Sequence, residues 1–81
     1  MEKEKVKEIL TQEMINSFDI PEGIKAVKVM LETVFEIHGA ERTVDDWIIA
    51  NVNSAGDMFK GLTPRETYLF GIATLTAELL G

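Results

Sequence analysis

Thr63-Pro64-Arg65-Glu66-Thr67-Tyr68-Leu69-Phe70-Gly71-Ile72-Ala73-Thr74-Leu75-Thr76-Ala77-Glu78-Leu79-Leu80 is the stretch on which the fold turns. It opens with a threonine able to cap a helix. A proline follows at the first helical position, where its missing N–H is no loss, and a glutamate stands three residues after the cap. The pattern predicts a helix over 63–80, but its apolar residues do not keep to one face. With Pro64 as zero on a helical wheel, Leu75, Tyr68, Leu79 and Ile72 fall between about 20° and 80°, whereas Ala73, Ala77 and Phe70 fall between about 180° and 240°. Thr67, Gly71, Thr74 and Glu78 make up the narrow polar remainder. A helix that is apolar over most of its circumference must be covered on more than one side.

The preceding segments are also helical, and capping residues delimit them. Thr43 can cap a helix with Asp46 three residues later, and Asp45 sits favourably for the helix dipole. From there Val44, Trp47, Ile48, Val52, Ala55, Met58, Phe59 and Leu62 keep one phase at 100° per residue. One helix is therefore expected from 43 to about 60, with Gly56 outside its apolar arc. Asn51 falls inside that arc and is the candidate polar core or register residue, because one buried asparagine can fix an oligomeric register. The alternative for Asn51 is an edge position touching water or a backbone carbonyl.

Further back, Asp19-Ile20-Pro21-Glu22 offers an N-cap, an early proline and an acid three residues after the cap. Gly39 suits the left-handed C-cap position, so a helix over 21–38 is expected. It too has two apolar arcs, Ile24, Val27, Leu31, Val34, Phe35 and His38 on one, Ala26, Val29, Met30, Thr33 and Ile37 on the other. Lys25, Lys28, Glu32 and Glu36 form its polar stripe. The first segment, 2–18, reads as an ordinary amphipathic helix with Val6, Ile9, Leu10, Met14 and Phe18 on one face. Four helices with short connections predict an all-α, compact four-helix bundle. A chain of 81 residues holds one domain and one thin core.

Fourteen acidic against eight basic residues give a net charge of −6. That charge repels a phosphate backbone and disfavours nucleic-acid binding. Cysteine is absent, which favours a reducing compartment, and the cytoplasm is the expected location. The opening Met1-Glu2-Lys3-Glu4-Lys5 has no signal-peptide pattern. No apolar run approaches the ~20 residues that span a bilayer.

Catalysis needs a nucleophile beside a base, paired carboxylates of separated pKa, or a metal. His38 is the only histidine, and its place at a helix end suits packing or capping. Asp45 and Asp46 diverge by about 100° on a helix and do not share a site. EF-hand, His-Glu-x-x-His and P-loop spacings are all missing. No catalytic, cofactor-binding or metal-binding residue is assigned, and the chain is not expected to be an enzyme.

The apolar arcs in excess of one core are the remaining functional signal. Helices two and four could cross in the centre of the bundle, or a second chain could cover them. The second is the reading taken: a protein–protein interaction module of the accessory-subunit, adaptor or inhibitor kind, forming a homodimer. The candidate partner-binding residues are Met30, Ile37, Phe70, Ala73 and Ala77, on the smaller arcs facing away from the core. Trp47 and Tyr68 read as core or core rim. One alternative is a carrier of a small apolar ligand lined by Met14, Met30, Met58, Phe35 and Phe59, since methionine makes adaptable cavities. Another is a helix-turn-helix DNA-binding regulator around segment three, which the charge and the lack of a basic helix oppose.

Overall fold

Backbone groups left over at helix ends must find partners, and side chains chosen for that purpose set most boundaries of this chain. In the computed structural model, which describes residues 9–80, the order is α1 (Gln12–Ser17), α2 (Glu22–Ile37), α3 (Val44–Ala55), a 3₁₀ turn (Gly56–Phe59) and α4 (Pro64–Leu80). There is no strand among the described residues, and the architecture is the expected all-α bundle. At the start of α4 the Glu66 N–H donates to Thr63 Oγ1 at 3.1 Å, and the Thr63 N–H donates to Glu66 Oε1 at 2.9 Å. This is the reciprocal capping box read from the sequence. Thr43 Oγ1 accepts from the Asp46 N–H at 3.1 Å. Gly39, at φ 73°, closes α2 while the Ala40 N–H reaches back to the Phe35 carbonyl at 2.9 Å, the bonding pattern of a Schellman cap.

Three boundaries differ from expectation. Of the helix expected over 2–18, Gln12–Ser17 is helical and residues 9–11 are not, while 2–8, with Val6, lie outside the described residues. The cause is a side chain far along the chain. Asn53 Oδ1 accepts from the N–H groups of Ile9 and Leu10 at 2.8 and 3.1 Å, and its Nδ2 donates to the Leu10 carbonyl at 3.1 Å. Those backbone groups, held by α3, are not available to a helix. The helix begins only after Thr11, whose hydroxyl accepts from the Met14 N–H at 3.2 Å.

Asp19 does not cap α2. Pro21 occupies the cap position without a side-chain bond, and the Asp19 carbonyl instead accepts from Arg65 Nε at 3.0 Å. The third difference is at Gly56, where the helix expected to run to Lys60 tightens into the 3₁₀ turn. Glycine is the weakest helix former after proline, and a 3₁₀ turn is a common way to end a helix. The turn sets Phe59 edge-on against Phe70, ring centres 5.7 Å apart. Gly61, at φ 94°, then redirects the chain into α4.

The core contains Leu10, Ile15, Leu31, Phe35, Val44, Ile48, Val52, Tyr68, Ile72 and Leu75, drawn from every helix and the segment before α1. Thr67 and Gly71, assigned to the polar remainder of α4, are buried. Gly71 marks the close approach of α4 to α3: a methyl added there would lie 2.7 Å from Ile48 Cγ2. Leu79, assigned to the core, is 39% exposed in the last turn of α4.

Gly71→Ala is expected to destabilise the protein by about 1–2 kcal/mol in urea unfolding. The clash with a β-branched, rotamer-restricted side chain exceeds the gain of up to ~1 kcal/mol in helix propensity. An equal or greater stability of the variant would show that α3 yields at this contact. Asn53→Ala should raise hydrogen-exchange rates at the Ile9 and Leu10 amides at least tenfold without comparable loss of protection in α4.

Candidate functional site

Asp45 gathers the largest polar constellation of the described residues, and each helix contributes one member. Its Oδ1 accepts from Tyr68 Oη on α4 at 2.8 Å. Its Oδ2 accepts from Lys28 Nζ on α2 at 2.8 Å and from Gln12 Nε2 on α1 at 3.0 Å. The carboxylate itself stands on the first turn of α3 and is only 5% exposed. The dipole role expected of Asp45 accounts for its place in the first turn but not for its burial. A signal was present in the periodicity: with Val44 as zero, Asp45 lies at about 100°, beside Val52 at about 80° and Ile48 at about 40°. Lys28, read as a member of a solvated stripe, turns inward to this carboxylate. Its neighbour Glu32 accepts from the Val44 N–H at 3.2 Å, joining α2 to the start of α3 a second time.

Burial pushes the Asp45 carboxyl up. The hydrogen bonds from Lys28, Gln12 and Tyr68 and the Lys28 charge together outweigh that effect and hold it below its ordinary value. Burial, the hydrogen bond to Asp45 and the negative charges of Asp45 and Glu32 drive the Tyr68 phenol well above its ordinary range. The group is thus a charged carboxylate satisfied by one cation and two neutral donors. Its chemistry is that of a structural tie.

The partner-binding candidates lie on the outside of the bundle. Met30 is 44% exposed and Ile37 75% on α2; Phe70 is 52% exposed on α4, where Ala73 and Ala77 are also exposed. Val29 and Leu80 extend these two faces. The crossing of helices two and four in the centre therefore does not cover both arcs: α2 packs on α4, but each keeps its second apolar face outward. In α4, hydrophobicity has almost no preferred direction around the axis.

Asn51 is exposed, and its Nδ2 donates to the Trp47 carbonyl at 2.8 Å. It is an edge residue of α3; among the described residues the buried polar positions are Asp45 and Thr67. The alternative of an edge position touching a backbone carbonyl is the one that holds, because the apolar arc of α3 centres on Ile48 and Val52, not on Trp47. His38 is exposed at the C-cap of α2, and Tyr68 is core.

Nor do the residues proposed to line a ligand cavity meet. Phe35 is in the core, Met30 faces outward from α2, and Met58 is exposed beside Phe59. Between α3, the 3₁₀ turn and α4 there is instead an open groove of about 250 Å³, lined by residues that include Trp47, Ala55, Met58 and Phe70. That volume is below the range of about 300–1,000 Å³ typical of ligand pockets; two open depressions beside Arg42, of about 430 and 420 Å³, fall within it, but of the five proposed residues only Phe35 lines them.

No family model, curated protein or solved structure matches this chain. The outward faces and the Asp45 tie are therefore read on their own geometry.

The tie has a signed pH dependence. For Tyr68, whose folded value is raised, the contribution is intact below the ordinary value of 10.0 and is lost as pH rises above it. For Asp45, whose folded value is lowered, the contribution is present at neutral pH and is lost as pH falls below 3.8. Tyr68→Phe is expected to cost about 1–3 kcal/mol at pH 7, the scale of a hydrogen bond to a charged group. It should also lose less stability than the wild type between pH 9 and 11. Parallel urea-midpoint curves for the two proteins over that interval would contradict the assignment.

Proposed function

We propose that this chain is a protein–protein interaction module that associates with itself, using the outward apolar faces of α2 and α4. The observation that carries the reading is the exposure of Met30, Ile37 and Phe70 on helices whose other faces already supply the core. Large apolar side chains grouped on one element, with few charges among them, mark association surfaces more often than they mark solvated ones. The net charge of −6 serves solubility. On this reading the protein works by binding and not by catalysis, in the manner of an accessory subunit, adaptor or inhibitor. A cysteine-free chain suits a reducing compartment such as the cytoplasm. No helix of the described residues is long and apolar enough to cross a membrane.

Size exclusion coupled to light scattering should show a dimer forming with rising concentration. Phe70→Asp should shift the protein toward monomer while leaving its circular dichroism unchanged, because a charge then stands where the complex is dry. Leu75→Asp should abolish the helical signal, since Leu75 is core. A wild type that stays monomeric up to about a millimolar would overturn the reading.

A further inference from the structure

Resting on the self-association reading, we infer that the dimer forms by antiparallel packing of α4 against α4 of a second copy, across a two-fold axis beside position 75. The outward residues Phe70, Ala73, Ala77 and Leu80 follow one another at intervals of three, four and three, the spacing with which one helix packs into another. They occupy a strip about 80° wide on the face of α4 opposite Tyr68, Ile72 and Leu75. All four are exposed in the single chain.

The order of sizes is the second observation. Reversed about position 75, Phe70 stands opposite Leu80 of the second copy and Ala73 opposite Ala77. Small residues thus meet at the centre, where the helix axes come closest, and large residues meet at the ends. A two-fold interface demands this self-complementarity, since each residue must fit the partner of its own counterpart.

Charge selects the occupant and its direction. A second copy also carries −6 and can approach closely only through an uncharged face, and this strip has no charged residue from Phe70 to Leu80. Glu66 lies on the same face one turn earlier. Antiparallel packing leaves it beyond the paired stretch, whereas parallel packing would set it against Glu66 of the other copy, a like-charge opposition that disfavours that register. A basic partner would find no acid within the strip to recognise. The seam is about 15 Å long and one helix wide, with Phe59 held against Phe70 as a shoulder. That is small beside the ~800 Å² per partner of a standard interface, so the dimer is a weak one, formed at micromolar or higher concentration.

The chain has no native cysteine, which makes disulfide trapping clean. Ala73→Cys and isotopically labelled Ala77→Cys, each checked for native circular dichroism, would be mixed and oxidised at a concentration where the wild type is dimeric by light scattering. Mass spectrometry should find the mixed disulfide severalfold in excess of either like-with-like product. Dominant like-with-like products would indicate parallel pairing and overturn the inference. Wild-type dimers without cross-linking would place the interface off α4 and overturn it too, leaving self-association standing. A wild type that never dimerises would remove both.

Discussion

A carboxylate buried to 5% exposure is tolerable only if its charge is met, and that constraint organises this fold. Asp45 is met by a side chain from each of the other three helices, so its satisfaction requires α1, α2 and α4 to hold their places simultaneously. Apolar contacts are non-directional and would allow these short helices to slide or rotate. Three hydrogen bonds of 2.8–3.0 Å to two oxygens do not. Because a half-satisfied polar group would cost more than an apolar core, the tie acts as a test of register: an arrangement that misplaces any one helix strands the charge.

Asn53 performs the same kind of service for the chain before α1. Residues 9–11 are not helical, and the backbone groups of Ile9 and Leu10 are satisfied by one amide side chain that both accepts and donates. Leu10 is thereby delivered to the core. Gly71 serves in the opposite way, through the absence of a side chain, letting α4 settle onto Ile48. With Asp45, these residues explain how a thin core is assembled from helices of only moderate length.

The consequence for function is that the inner faces of α2 and α4 are fully committed while their outer faces are not. Among the described residues no further helix covers Met30, Ile37, Phe70 and Leu80, all of which are exposed. The functional reading lies in this surplus. The polar tie positions the two helices and leaves their second apolar faces outward, where the proposed second chain would dock.

Local chemistry legible in the sequence determined the helical class, the capping box at Thr63 and Glu66, the cap at Thr43, the Schellman end at Gly39 and the two-sided character of α2 and α4. These depend on residues within one or two turns of each other, so spacing alone reveals them. The inward and outward assignment of Tyr68, Ile72 and Leu75 against Phe70, Ala73 and Ala77 was legible too, because bulky and small arcs differ. What only the tertiary structure decided was the role of side chains whose partners are remote. Asp45 is satisfied from 17 to 33 residues away, and Asn53 acts across more than 40. The non-helical stretch at 9–11 and the inward turn of Lys28 follow from them. Periodicity reports which face a residue occupies, but a polar residue on a buried face is stable only if distant groups converge on it, and that convergence exists only in the folded chain.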